Sequence, residues 1–327
     1  MKVLTGIQPT NILHIGNLFG ALVPAAKMQR ENQLFMMIAD YHAITVPYDP
    51  KQLNDNILFV TAAYLAAGID PKKTILFQQS QVPAHAELAW ILQTVARMGE
   101  AERMTAFKEK VGKERQRASV GLFTYPMLMA ADILLYDTQA VPVGADQKQH
   151  VEFTRDLAER FNRDFGQTFE VPEPVIRQHG AKILSLQDPD KKMSKSEPNA
   201  KSYISIMDDE DVIQKKIRAA VTDSKPGVTV EDDRPGLKNL LTVYGLITDE
   251  TLVRIAERYE SIKELKDDLA EALTLYLKPL QAEIKGWLDN KSELLDVINI
   301  GSEAAAEIAN AKLAEVKKRI GVVLTSP

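Results

Sequence analysis

The 327-residue chain contains no cysteine. That absence removes disulfides, thiolate zinc sites, iron-sulfur clusters and thiol nucleophiles together. Histidine is scarce as well: His14, His42, His85, His150 and His179 are the full set. No two of them stand at an i, i+4 ligand spacing, so no protein-held metal is expected. No segment approaches the roughly 18 uninterrupted apolar residues of a membrane span. Met1-Lys2-Val3-Leu4 enters a strand-like segment where a signal peptide would place its charged and apolar regions. The expectation is a cytoplasmic protein without membrane association.

Surplus positive charge is also missing. Forty basic side chains against 45 acidic ones leave a net charge of -5. This argues against indiscriminate coating of DNA or RNA, which depends on phosphate neutralisation. A specific RNA partner would need local basic surface. Lys108, Lys110, Lys113, Arg115 and Arg117 form one candidate run, and Lys191, Lys192, Lys195 and Lys201 another. Each run also reads as a solvated face interleaved with Glu109, Glu114 and Glu197.

What is present is enough apolar side chain, 45% of the residues, to build a real core. Through about residue 187, short β-favouring runs alternate with helix-period segments, the pattern of an α/β domain with a doubly wound parallel sheet. Strands are predicted at 3–7, 34–39, 74–77 and 140–143. Helices are predicted from near Gly16, over 53–67, 84–97 and 125–136, and after 146 with Val151, Leu157 and Phe161 on one side. From about residue 208 the strand signal stops. Ile262, Leu265, Leu269, Leu273, Tyr276, Leu280, Ile284 and Trp287 step by three or four, one apolar stripe with a kink expected at Pro279. Residues 223–235 read as a loop and 302–319 as a last helix, a candidate to pack back on the first domain. The division expected is 1–187 and an all-helical 188–327.

Two motifs carry chemistry. His14-Ile15-Gly16-Asn17 falls past a strand and a turn at the start of a helix, where backbone N–H groups and the helix dipole favour an anion. Glycine at 16 would let a nucleotide approach without a Cβ in the way. Taken alone, four residues arise by accident about as often as by design. The second motif, Lys192-Met193-Ser194-Lys195-Ser196, lies between the breakers Asp188-Pro189-Asp190 and Glu197-Pro198-Asn199. It is therefore expected on a mobile loop with helix or strand on neither side. As mere charge it would be solvated surface. As an exact string it should arise by chance in about one chain in ten thousand of this length.

With both motifs in this order and separation, the sequence resembles the class I aminoacyl-tRNA synthetases. Leu128 to Tyr136, Val141 to His150, Asp40 to Thr45 and Glu102 to Thr105 are similar to the bacterial tryptophan-specific members. The resemblance implies a Rossmann-like nucleotide-binding catalytic domain, ATP with Mg2+, L-tryptophan, tRNA(Trp), a homodimer, and anticodon recognition by the helical region. Lys192, Lys195, Lys110, His14 and Asn17 would be catalytic. Gln8, Pro9, Thr10, Gly16, Asn17, Gly144, Ala145, Asp146, Ile183 and Lys192 to Ser196 (with Met193, Ser194 and Lys195) would bind ATP.

Met129, Val141 and Val143 can wall an apolar slot, and Asp132 can accept an indole N–H. A buried carboxylate there would penalise phenylalanine, which would leave it unpaired. By the same resemblance Tyr125 and Gln147, with Gln8, would hold the ammonium group, and His42 would flank the ring. The family usually has threonine at His14, glycine at Asn11, an aromatic at Leu4, glutamine at Tyr41 and glutamate at Ala145. A tyrosine-specific synthetase remains the alternative, sharing fold and mechanism.

Overall fold

A computed structural model describes residues 1–9, 12–104, 119–144, 147–176, 182–195, 197 and 199–324. Its centre is a parallel sheet of β1 (Lys2–Ile7), β2 (Gln33–Ile38), β3 (Thr74–Gln78), β4 (Ala140–Val143) and β5 (Glu173–Ile176), in the order β3-β2-β1-β4-β5. The chain winds from β1 outward to β3, then returns to the other side of β1. The order therefore switches between β1 and β4, and the crevice beyond their carboxyl ends is where such sheets bind ligands.

Alternation along the strands decides the layers. Val3, Leu34, Met36, Ile38 and Leu76 enter one core, while Leu4, Phe35, Met37, Phe77, Val141 and Val143 enter the other. Burial on both faces explains why β2 reads as a continuous apolar run. β5 was not predicted. It holds Pro174 and an exposed Val175, and proline is tolerated because β5 is an edge strand.

The first helix is built in three pieces. α1 (Ile15–Asn17) passes into a π-helical turn, Leu18–Leu22, and then α2 (Val23–Met28), which opens with Pro24. The missing proline N–H makes a regular turn impossible there, and the wider turn absorbs the defect. Then come α3 (Asp40–Ala43), α4 (Pro50–Ala66), α5 (Ala84–Val95), α6 (Met98–Glu102), α7 (Val120–Leu134) and α8 (Lys148–Phe165). Asp49 caps α4 by accepting from Lys51 N–H, with proline pre-set at the first position.

Beyond the sheet lie α9 (Glu210–Arg218), α10 (Pro235–Thr248), α11 (Leu252–Ala256), α12 (Ile262–Asp289) and α13 (Lys291–Arg319). Of the predicted stripe, Leu265, Leu269, Leu273, Leu280 and Ile284 are buried in α12, with Leu277 buried in place of the partly exposed Tyr276, and the helix runs on through Pro279. The helix from α10 to α12 shares its core with Ile183, Leu186 and Met193, so packing is continuous across the stretch around residue 187. Arg234, fully buried, ties residues 223–234 together by donating to the Asp223 carboxylate, Gly227 O, Thr229 Oγ1 and Lys225 O.

The last helix begins at Lys291, eleven residues before the expected start. Leu294 and Ile298 lie in the first core, Ala305, Ala309, Leu313 and Val316 in the second. The helix thus crosses the β3 edge of the sheet at Gly301, where a Cβ would stand 1.8 Å from Leu76 O. The Gln78 N–H, on the exposed side of that edge strand, donates to Ser302 Oγ at 3.2 Å.

Candidate active site

His14 stands at the N-cap of α1. Its backbone N–H donates to Asn17 Oδ1 at 3.1 Å, and its carbonyl accepts from Asn17 N–H and Leu18 N–H. The expected set of open donors at this helix start is smaller than the sequence suggests, because Ile15 N–H donates to Ile204 O at 3.0 Å. Asn17 keeps its amide NH2 for a ligand once Oδ1 is engaged. The Gly16 requirement is local: a Cβ there would come within 2.8 Å of His14 Nδ1, so the glycine makes room for the histidine ring.

That ring is 6% exposed, and its Nδ1 has no hydrogen-bond partner among the described residues. Burial, followed by the charges of Lys192 and Lys195, lowers its pKa to about 4. His14 is therefore a neutral imidazole at pH 7, with ring N–H available as a donor.

The lysine segment comes to this same point. A Cβ on Gly16 would lie 3.7 Å from Met193 Cβ. The segment is less free than a run between breakers implies. Lys192 pairs with Leu184 in an antiparallel bridge, Met193 N–H donates to Ile183 O at 2.9 Å, and Ser185 N–H donates to Lys191 O at 2.8 Å. Met193 is buried in the core. Asn239 on α10 grips the other side of that bridge: its Oδ1 accepts from Leu184 N–H at 2.8 Å and its Nδ2 donates to Leu184 O at 3.0 Å. Lys192 is left exposed, while Lys195 is half-buried and its pKa is lowered by that burial.

Ile183 and Met193 have their side chains in the core, so any nucleotide contact from them is through backbone. Gly144 is exposed at the end of β4, and Gln147 N–H donates to its carbonyl at 3.0 Å. Gln8 is exposed and Pro9 buried after β1. Thr10, Lys110, Ala145, Asp146 and Ser196 lie outside the described residues.

The expected side-chain pocket gathers on the second face. Leu4, Tyr125, Met129, Val141 and Val143 share one apolar cluster. Tyr125 Oη lies 2.8 Å from His150 Nε2, and its ring meets His42 edge-on with centroids 6.0 Å apart. Burial pushes the Tyr125 hydroxyl up to about 12, so it stays a phenol.

At the base, Asp132 is 1% exposed. Sequence reading left its acceptors open for a substrate, but in the folded chain they are engaged. Oδ1 lies 2.6 Å from His85 Nδ1 and 2.8 Å from Gln79 Nε2; Oδ2 lies 2.8 Å from His42 Nε2 and 3.0 Å from Gln79 Nε2. Burial alone would raise the carboxyl pKa, but the hydrogen bonds from His42 and His85 outweigh it and bring it to about 2. Gln79, His85 and Asn239 were not singled out from sequence. Only His85, a polar residue inside the apolar run of α5, offered any local signal.

Two phosphate-suited motifs about 175 residues apart meet beyond β1 of a doubly wound sheet, and a buried carboxylate stands among apolar side chains on the sheet's other face; this is the arrangement of a class I aminoacyl-tRNA synthetase. The family model described as tRNA synthetases class I (W and Y) matches residues 1–282, and the chain belongs to this family. It is 47% identical over 324 residues to the tryptophan–tRNA ligase of Clostridium tetani, covering 98% of this chain and 96% of that one. The crystal structure of tryptophanyl-tRNA synthetase from Campylobacter jejuni, complexed with ADP and tryptophan, superposes with a TM-score of 0.86 at 38% identity, covering 98% of this chain and 100% of the other. Likeness to the tyrosyl-tRNA synthetase of Archaeoglobus fulgidus is one of fold alone, at 16% identity and a TM-score of 0.67 over 86% of this chain and 90% of that one.

Proposed function

We propose that the chain is a tryptophan–tRNA ligase: it activates L-tryptophan with ATP to tryptophanyl-adenylate and transfers the tryptophanyl group to tRNA(Trp), releasing pyrophosphate and AMP. The observation that carries this reading is the meeting of His14 and Gly16 with the lysine segment, Met193 against Gly16 and Lys192 and Lys195 near the His14 ring.

In the first step a carboxylate oxygen of tryptophan attacks the α-phosphorus and the bond to the β-phosphate breaks. The nucleophile is already ionised, so neither a protein nucleophile nor a general base is required. Catalysis is positioning and charge stabilisation. Lys192 and Lys195 hold the departing pyrophosphate, with Lys110 in support, and neutral His14 and the Asn17 amide donate to the phosphate chain. The 2'-hydroxyl of the terminal tRNA ribose then attacks the acyl carbon, and AMP leaves. Gly144, Asp146 and Gln8 border the nucleotide, while Tyr125, Gln147 and Gln8 take the ammonium group.

Mg2+ bound by the ATP phosphates would neutralise charge as the α–β bond opens. Among the described residues no three His, Cys, Asp or Glu side chains gather to hold a metal. The triphosphate and water would supply its oxygen ligands.

For the amino acid, Leu4, Met129, Val141 and Val143 enclose the indole. Its N–H donates to Asp132 Oδ2, the oxygen shared with His42, the outermost of the three donors. The helical region from α9 onward reads the anticodon, and residues 1–187 form the catalytic unit. A second copy completes the enzyme. Ile44, Val46 and Val120 are exposed near the point where Ser119 Oγ donates to Thr45 O, and this apolar surface favours a partner. Among the described residues no helix is long and apolar enough to cross a membrane; the reaction places the protein with the translation apparatus in the cytoplasm.

The test is ATP-pyrophosphate exchange with each of the 20 amino acids, followed by charging of total tRNA. Exchange with tryptophan alone and charging of tRNA(Trp) are expected. Exchange with tyrosine at a comparable rate would overturn the reading.

A further inference from the structure

A carboxylate buried to 1% exposure is tolerable only if donors replace its water. Asp132 has three, and two of them, His85 and Gln79, are entirely buried, while His42 is 8% exposed. His85 sits in the first turn of α5, entirely buried, with Nδ1 2.6 Å from Asp132 Oδ1 and Nε2 2.8 Å from Tyr136 Oη. Gln79, also fully buried, follows β3 and reaches both carboxylate oxygens with one Nε2.

The proton positions follow from this wiring. Tyr136 is buried beside a negative charge, and both influences push its hydroxyl pKa far above the ordinary value, so it remains a phenol. The carboxylate sets the direction of the chain: Nδ1, 2.6 Å from Asp132 Oδ1, is the ring atom that donates, and Nε2 of the neutral ring accepts the Tyr136 O–H. The other tautomer would set the Nδ1 lone pair 2.6 Å from a carboxylate oxygen, a repulsive contact unless Asp132 were protonated.

Gln79 has no freedom either. Its Oε1 accepts the Tyr41 N–H at 3.1 Å, so the NH2 end must face Asp132. Phe77 stacks on the His85 ring at 5.9 Å and 25°, and Tyr136 packs against it at 5.6 Å.

We propose that His85, fixed by Tyr136 and assisted by Gln79, is a positioning residue that sets amino-acid specificity: it holds Asp132 as an acceptor-only carboxylate in one orientation, with Oδ2 presented to the indole N–H. The proposal rests on the reading that Asp132 is the indole partner. A carboxyl that could turn, or take up a proton, would offer a donor as readily as an acceptor, and the distinction between indole and plain aromatic rings would weaken.

The experiment is initial-rate pyrophosphate exchange by the full chain with tryptophan, tyrosine and phenylalanine, on variants shown by circular dichroism to be folded. His85→Leu removes the donor. It is expected to raise KM for tryptophan about tenfold or more, as loss of a hydrogen bond to a charged group does, with kcat changed less than about threefold. His85→Asn places an amide N–H near the position of Nδ1 and is expected to recover most of that loss. Tyr136→Phe, which removes only the hydroxyl that donates to His85 Nε2, is expected to raise KM about threefold.

Equal behaviour of His85→Leu and His85→Asn would mean mere packing and would overturn the proposal, as would an unchanged KM in both. If His85→Leu does not fold, an unchanged KM in Tyr136→Phe overturns it instead. Asp132→Asn separates the premise from the proposal. If it leaves discrimination between tryptophan and phenylalanine intact, Asp132 is not the indole partner. If it abolishes discrimination while the two His85 variants match, only the positioning role fails.

Discussion

Burial opposes the charged form of two side chains at the head of the site. His14 is neutral, and its folded pKa of about 4 lies below the ordinary 6.5 because burial and two lysines oppose the charged form. Between those values the unfolded chain binds a proton that the folded chain does not, so stability rises with pH across the window and falls as pH drops from 6.5 toward 4. The full difference is on the order of 3 kcal/mol. Urea unfolding midpoints measured from pH 4 to 6.5 should show a shallower slope in His14→Thr than in the parent chain. Lys195 is half-buried and loses solvation there. Lys195→Ala should lower kcat for tryptophan-dependent exchange by about a hundredfold or more, while tryptophan affinity by equilibrium dialysis stays the same; equal losses in both would contradict a role confined to the leaving group. At this scale His14, Lys192 and Lys195 were legible as letters in a motif. The donors around Asp132 were not, because Gln79 and His85 lie about 50 residues from it in sequence and a single sequence carries no mark of that contact.

The lysine segment is an element with one edge fixed and one face open. Its bridge to Leu184 is held from behind by the two hydrogen bonds of the Asn239 amide, which joins α10 to the phosphate end of the site. Asn239→Leu would leave the part-buried N–H and carbonyl of Leu184 without these partners, at a cost of about 1–2 kcal/mol. It should also reduce kcat for exchange about tenfold with little change in tryptophan binding, since the pocket around Asp132 lies on the other face of the sheet. A loss confined to thermal stability would show that the bridge does not set the position of the lysines. The four long-signal strands and the amphipathic α12 were readable because alternation and the three-to-four step are local properties of the chain. β5 was not, since a strand carrying Pro174 depends on its place at the edge of the sheet. The start of α13 was missed for a related reason: Gly301 resembles a helix breaker until Leu76 is seen against it.

Across the whole molecule, both faces of the sheet are tied to one helix. α13 contributes to the two cores in turn, and Lys312 and Lys317 add ion pairs to Asp137 and Glu87 at 2.9 and 2.8 Å. Gly301→Ala would drive a methyl group into the Leu76 carbonyl and should lower stability by about 3 kcal/mol, read as a shift of the unfolding midpoint, with both cores melting in a single transition; separate melting would show that the helix does not join them. The local periodicities predicted an α/β domain over 1–187 and an all-helical 188–327, but amphipathic patterns do not say which face they meet. The crossing at β3 also has a consequence in time. During synthesis the β3 edge keeps an unanswered Gln78 N–H until Ser302 has left the ribosome, so a catalytic sheet assembled early is still able to pair with a neighbouring nascent chain. Only α13, made long after the sheet, ends that exposure.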